Sequence, residues 1–170
     1  LIHVDALIVG AGPVGGYLAK RLASRGKSVL MVEEHGQIGR PFQCAGLINP
    51  GSRAKVGLEK VAQTRIWGAR IHGPEGTLVE IGSPDRTRTW SVCRKLFDEA
   101  VVNMAVSSGA GLMLNSRPVE TRILDDRVEI TIESEGGNVQ VSSRVLLGAD
   151  GAHSWTRRHH RMGRVREMMI

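Results

Sequence analysis

Three glycines set between a strand and a helix constrain this chain more than any other feature. In "VDALIVGAGPVGGYLAKRLASRGKSVLMVEE", Val4 to Val9 is a short apolar run, the pattern of a strand covered on both faces in a parallel sheet. Gly10, Gly12 and Gly15 follow at once as G-x-G-x-x-G. A helix is predicted from about Val14 to Arg25, with Leu18, Ala19, Leu22 and Ala23 on one face and Gly26 as its stop. Ser28 to Val32 is the next strand. The unit is a βαβ start, and its spacing assigns each glycine a task. The first permits the tight turn, the second admits a pyrophosphate to the backbone, and the third lets helix and strand pack closely.

Free N–H groups at the start of that helix, around Val14 and Gly15, suit phosphate oxygens. Glu33 ends the following strand, where a carboxylate can accept the hydroxyls of an adenosine ribose and would repel a 2′-phosphate. FAD or NAD is therefore favoured over NADP. The glycines do not choose between the two.

Beyond Thr64 the texture changes. "RIWGARIHGPEGTLVEIG" reads as two strands around a Gly-Pro-Glu-Gly turn and "RTRTWSV" as a third, an excursion into a second sheet. "CRKLFDEAVVNMAVSSG" has helical spacing, with Leu96, Phe97, Ala100, Val101, Met104 and Ala105 as its stripe. "RPVETRILDDRVEITIESEGGNVQVSS" alternates as an antiparallel meander, and "RVLLGADG" returns to an apolar strand ahead of a short polar helix. The fold class expected is α/β, a Rossmann-like dinucleotide-binding domain with a parallel sheet plus a β-meander. That domain is discontinuous, residues 1–63 and 93–170, with 64–92 beginning a β-rich substrate domain. Few sheet-forming residues remain after the last helix, so an N-terminal fragment of a longer protein is expected.

Several segments carry a family resemblance. "GADGAHSWTRR" places Asp150 and Gly151 at a strand end, with Ser154 and Arg157 just beyond, and resembles the GxDG motif of flavoprotein hydroxylases and related reductases. Arg94 in "VCRKLFDEAVVNMA" is similar to the helix-leading Arg that reaches FAD in that superfamily. Val119, after Pro118, matches the position that pairs backbone groups with adenine. The loop "GRPFQCAG", following Glu33, has Gly39, Pro41, Cys44 and Gly46 in a P-x-x-C-x-G arrangement that resembles the geranylgeranyl reductase family.

The resemblance covers nearly the whole chain and implies FAD as cofactor. It also implies hydride transfer from reduced flavin to isolated C=C bonds of geranylgeranyl chains, as in archaeal membrane lipids or chlorophyll side chains. An unactivated alkene also needs a proton at its other carbon. The cofactor-binding set implied is Gly10, Gly12, Val14, Gly15, Glu33, Cys44, Ala45, Gly46, Arg94, Val119, Asp150 and Gly151, with Cys44 as the catalytic candidate. The partners implied are an isoprenoid lipid and an electron donor such as NAD(P)H, ferredoxin or another reductant. The family's C-terminal Gly-Asp flavin motif and aromatic-rich substrate motifs are absent from these 170 residues. A flavin monooxygenase, an electron-transfer flavoprotein or a non-catalytic FAD-binding fragment are the alternatives on the same fold.

Two cysteines, Cys44 and Cys93, are too few for a disulfide framework or a zinc site, and a reducing cytoplasm is the simple reading. A small buried hydrophobe is the plain alternative for Cys44. His153, His159 and His160 lack partners at ligand spacing, so no metal site is expected. The charge of +6 concentrates in "RRHHRMGRVR", Arg157 to Arg166. That run has no aromatics for stacking and no helix-turn-helix pattern, which argues against nucleic acid and leaves a solvated face or an anionic ligand. No apolar run reaches the length of about 18 residues a membrane span needs, so a soluble protein is expected, with peripheral membrane contact left open.

Overall fold

The computed structural model describes residues 1–41, 44–57 and 61–163. They form two compact units, Leu1–Ile38 with Val101–Ile170, and Gly39–Ala100.

The first unit is built on β1 (Ile2–Val9), α1 (Pro13–Ala23) and β2 (Val29–Val32), the βαβ start that the glycine pattern predicts. Leu7 and Ile8 of β1 and Met31 of β2 are fully buried, because a parallel strand has apolar cover on both faces. α1 lays Gly15, Gly16, Ala19 and Ala23 against the sheet, with Leu18 and Leu22 packed at the margin.

The second unit opens with β3 (Leu47–Ile48) and α2 (Pro50–Val56), which Asn49 caps by accepting the Ser52 N–H at 2.7 Å. β4 (Ala62–Ile66), β5 (Gly68–His72), β6 (Leu78–Gly82) and β7 (Thr89–Val92) follow. β3, β7 and β4 make a three-stranded sheet, and β5 and β6 a separate hairpin. The stretch read as one strand, "RIWGARIH", is thus divided at Trp67, its halves serving different sheets. Alternation specifies extended backbone, not which edge it joins. β3 and α2 gave no signal in the sequence reading.

The division between units falls within α3 (Arg94–Ser107). Its buried positions are Phe97, Asp98, Val101, Val102 and Ala105, whereas Leu96, expected in the stripe, is 50% exposed. An acid holds a buried place on this helix and a leucine an exposed one.

The first unit resumes with β8 (Gly111–Met113), β9 (Ser116–Ile123), β10 (Val128–Ser134), β11 (Gly137–Gly148) and α4 (Trp155–His159). The six-stranded sheet has the order β8-β2-β1-β11-β10-β9. The last meander strand and the returning apolar strand, read separately from sequence, are one strand. β11 runs antiparallel to β10 through Gly137–Ser143 and parallel to β1 through Val141–Gly148. Ile130, Ile132 and Val141 share a buried cluster with Leu7, Leu30 and Val32 on one face of this sheet, with Val4, Val128, Val139 and Leu146 packed against it. A second cluster on the helical side includes Ala6, Ile8, Ala19, Met31, Val102 and Ala105.

Candidate cofactor site

The end of β1 and the end of β11 meet. The Ala149 N–H donates to the Val9 carbonyl at 2.7 Å, and a Cβ on Gly10 would stand 2.5 Å from the Ala149 carbonyl oxygen. Gly10 also holds φ +95°, a region glycine enters freely. A Cβ on Gly15 would collide with the Gly10 carbonyl oxygen, so close helix–strand packing is the reason for that glycine.

Gly12 is different, since a Cβ there meets nothing within 4 Å. It faces open space over the start of α1. The first helical bond runs from the Gly16 N–H to the Gly12 carbonyl at 2.8 Å, so the N–H groups of Gly12, Val14 and Gly15 precede the ladder. No side chain caps this end, Pro13 holds the first position, and no acidic residue occupies the first turn. An uncapped positive helix end facing open space fits an anionic pyrophosphate.

Glu33 closes the turn from below. Its Oε2 accepts the Ala11 N–H at 2.9 Å, and its Oε1 accepts the His35 N–H at 3.1 Å and pairs with His35 Nδ1 at 2.6 Å. A carboxylate has about four acceptor positions; three are engaged, so about one remains for a hydroxyl unless His35 turns aside. His35 had no motif to announce it in the sequence. Beside this pair, the Ser116 N–H donates to the Glu33 carbonyl at 2.9 Å. Val119 lies in a β-bulge: Pro118 pairs with Ile132 and Glu120 with Thr131, which leaves Val119 without a partner on β10.

At the other strand end, Asp150 clamps its own turn. Oδ1 accepts from Ser154 Oγ at 2.6 Å, and Oδ2 accepts the Thr156 N–H at 2.9 Å and Thr156 Oγ1 at 3.1 Å. Burial would push this carboxyl up, but those bonds together outweigh it and hold it below the usual carboxylate range. Ser154 in turn caps α4 by accepting the Arg157 N–H at 2.9 Å. Gly151, at φ +72°, leaves the space beside it open. An open groove of about 820 Å³ adjoins this turn, with Val145, Leu146, Asp150, Gly151, Arg144 and Arg157 among its lining. Arg164 and Arg166 of the basic run lie outside the described residues.

The second unit holds the cysteine loop. Gly46 has φ +76°, and a Cβ there would collide with the Val92 carbonyl oxygen; its own carbonyl accepts the Val92 N–H at 2.8 Å. The loop is thereby fastened to the β7–α3 junction. Phe42 and Gln43 are outside the described residues. Cys44 and Ala45 are exposed, so Cys44 is no buried filler, and both cysteines are free thiols. A hydrogen bond from the Gly46 N–H, joined by the Arg94 guanidinium, holds the Cys44 thiol below its ordinary pKa against the smaller effects of burial and of Asp98. Arg94 Nε and Nη2 donate to Asp98 Oδ1 and Oδ2, each at 3.0 Å. Asp98, 6% exposed, escaped the sequence reading, although its i,i+4 spacing from Arg94 was visible there. Trp90 packs under the Arg53 guanidinium, 4.1 Å from the ring centre.

Among the described residues no group of His, Cys, Asp and Glu could hold a metal ion, and no helix is long and apolar enough to cross a membrane.

Residues 3–53 match the family described as FAD binding domain. The chain is 33% identical over 160 residues to the digeranylgeranylglycerophospholipid reductase of Methanosarcina acetivorans, covering 88% of this chain and 38% of that protein. Among solved structures, a geranylgeranyl bacteriochlorophyll reductase-like protein from Thermoplasma acidophilum superposes with a TM-score of 0.80 at 25% identity, over 88% of this chain and 40% of that one. A p-nitrophenol 4-monooxygenase from Pseudomonas putida superposes with a TM-score of 0.79 at 19% identity, covering 92% and 43%, a likeness of fold alone. The chain spans about two fifths of the length of the curated relatives it matches.

Proposed function

Because the chain belongs to the geranylgeranyl reductase family of FAD-dependent oxidoreductases, we propose that the whole protein reduces isolated C=C bonds in the geranylgeranyl chains of a membrane phospholipid. The observation that carries this reading is the convergence of Gly10 and Ala149 at one mouth, with an uncapped α1 N-terminus on one side and Asp150 on the other. Bound and reduced, FAD supplies the hydride.

This chain's residues supply the hold. The N–H groups of Gly12, Val14 and Gly15 face the pyrophosphate, and Gly10 and Gly15 keep the turn tight enough to present them. Glu33 accepts from the ribose, and the unpaired backbone at Val119 meets the adenine edge. Asp150 and Gly151 meet the polyhydroxyl chain, with Asp150 spending its remaining acceptor capacity there. Cys44, Ala45, Gly46 and Arg94 keep the flavin-contact role that the family implies, and Cys44 is the proposed participant in the redox step. Residues 64–92 begin the substrate domain. The donor is NAD(P)H, ferredoxin or another reductant, and peripheral contact brings the enzyme to its lipid.

Two measurements test this. The purified chain should take up FAD with a visible flavin spectrum, and Gly12→Ala should fold normally yet bind FAD at least about tenfold more weakly. Absence of FAD uptake by the unaltered chain would return it to a module without flavin. For the reaction, the whole protein is reduced anaerobically and offered geranylgeranyl lipid. Rapid reoxidation by the alkene with slow reoxidation by air supports the reductase; rapid NADPH-driven oxygen consumption with an aromatic substrate would overturn it in favour of a monooxygenase.

A further inference from the structure

The two oxygens of Glu33 are unequally occupied. Oε2 accepts the Ala11 N–H at 2.9 Å, whereas Oε1 takes both the His35 N–H at 3.1 Å and His35 Nδ1 at 2.6 Å. An ionised carboxylate only accepts, so Nδ1 carries the hydrogen in that contact. Each carboxylate oxygen has about two acceptor positions, so Oε1 is full and about one place is left, on Oε2. An adenosine ribose brings neighbouring 2′ and 3′ hydroxyls to this acid, and a single place serves one of them.

Of the groups bonded to Glu33, only the imidazole can leave without unmaking the turn. Ala11 is 1% exposed within the glycine turn. The backbone on either side of Glu34 is pinned to the segment from Met113 to Ser116. The Glu33 N–H donates to the Met113 carbonyl at 2.8 Å, the Ser116 N–H to the Glu33 carbonyl at 2.9 Å, and the Asn115 N–H to the His35 carbonyl at 3.2 Å. A Cβ on Gly36 would stand 2.6 Å from Asn115 Oδ1, so the chain just after His35 also lies close against this segment. The His35 side chain, in contrast, is 42% exposed beside a Glu33 side chain at 14%. Its ring has solvent to turn into.

We propose that His35 sets the affinity of this chain for FAD by competing with it: the ring fills the Glu33 Oε1 place that a second ribose hydroxyl requires, and swings out when the cofactor binds. The proposal rests on the FAD reading for its ligand, whereas the bond between His35 and Glu33 stands without it. Side-chain rotation alone exchanges the Nδ1 donor for a hydroxyl donor and leaves the turn intact. The sign of a substitution is thereby inverted. Removing a residue that grips the cofactor weakens binding; removing a competitor tightens it.

FAD titrations of the unaltered chain and of two variants, followed by flavin fluorescence, read that sign. His35→Ala should bind FAD at least about threefold more tightly, as expected for the release of one hydrogen bond. His35→Phe keeps a ring but no donor and should gain likewise, which separates the bond from the bulk. Affinity that is unchanged or reduced in either variant, with circular dichroism showing a native fold, would overturn the proposal. A second measurement needs no variant. In the unaltered chain, nitrogen-15 resonance of the histidines should show His35 Nδ1–H bonded without flavin and released at saturating FAD; a ring still bonded at saturation is fatal to the idea. If the unaltered chain takes up no FAD, the flavin reading and this proposal fall together. If it takes up FAD and the variants gain nothing, the proposal falls alone.

Discussion

The two units are held in different ways. The first buries two apolar clusters, one on each face of a six-stranded sheet, with Leu7, Ile8, Met31, Ile130 and Ile132 closed to solvent. The second buries only Gly46, Val92, Phe97 and Asp98 among its described residues, and its β5–β6 hairpin leaves Ile71, Leu78, Val79 and Ile81 about half exposed. One is finished by its own side chains. The other relies on backbone pairing, a left-handed turn and a bidentate ion pair. Rigid packing therefore surrounds the dinucleotide turn, while the thiol is carried by a part with little core of its own.

The largest expected effect breaks or sustains that contrast directly. Ile130→Ala, at a fully buried site, should cost about 2–5 kcal/mol, whereas Val79→Ala on the hairpin should cost under about 1 kcal/mol. Urea unfolding followed by circular dichroism measures both, and similar costs would erase the distinction.

The next effect lies in acid. Asp150 titrates below the usual carboxylate range in the folded protein, so its contribution is fully present above that range and is lost as pH falls through the depressed native value. Asp98 is displaced upward, so its folded form takes a proton before the unfolded one does, and stability gains as pH falls through the raised native value. Asp150→Asn should flatten the acid loss and cost about 1–3 kcal/mol at neutral pH by weakening the α4 turn; Asp98→Asn should remove a slope of opposite sign. Stability curves between pH 3 and 7 show whether the two acids differ.

The smallest effect belongs to the first unit's basic end. Replacing Arg157 and Arg158 together with Ala should weaken FAD or phospholipid binding more at low salt than at high salt, as exposed charges do. Equal loss at both ionic strengths would mark that stretch as an ordinary solvated surface.

The legibility of the sequence follows the same division. In the first unit, parallel strands are apolar throughout and G-x-G-x-x-G has one geometric use, so β1, α1 and β2 could be placed from residues alone. The continuity of β11 was hidden because "SSR", Ser142 to Arg144, is polar, and the antiparallel and parallel pairings overlap at Val141 to Ser143. β8, three residues long, is too short for any period to register. In the second unit, alternation identified extended backbone but not its partners, and the break at Trp67 had no local signal. Arg94 was recognised through a family motif. Asp98 carries no distinctive sequence signal, since an acid four places after an arginine on a helix is the pattern of a surface pair, and only its burial gives it another meaning.

β11 acts as a ruler between the meander and the cofactor mouth. Because one strand serves both, an insertion at the Gly136–Gly137 turn stays outside the measured length, but one between Val141 and Gly148 shifts Ala149 and Asp150 by about 3.3 Å and reverses the facing of every intervening side chain. Length variation can therefore accumulate at the hairpin tip, while the eight residues leading to the mouth admit none.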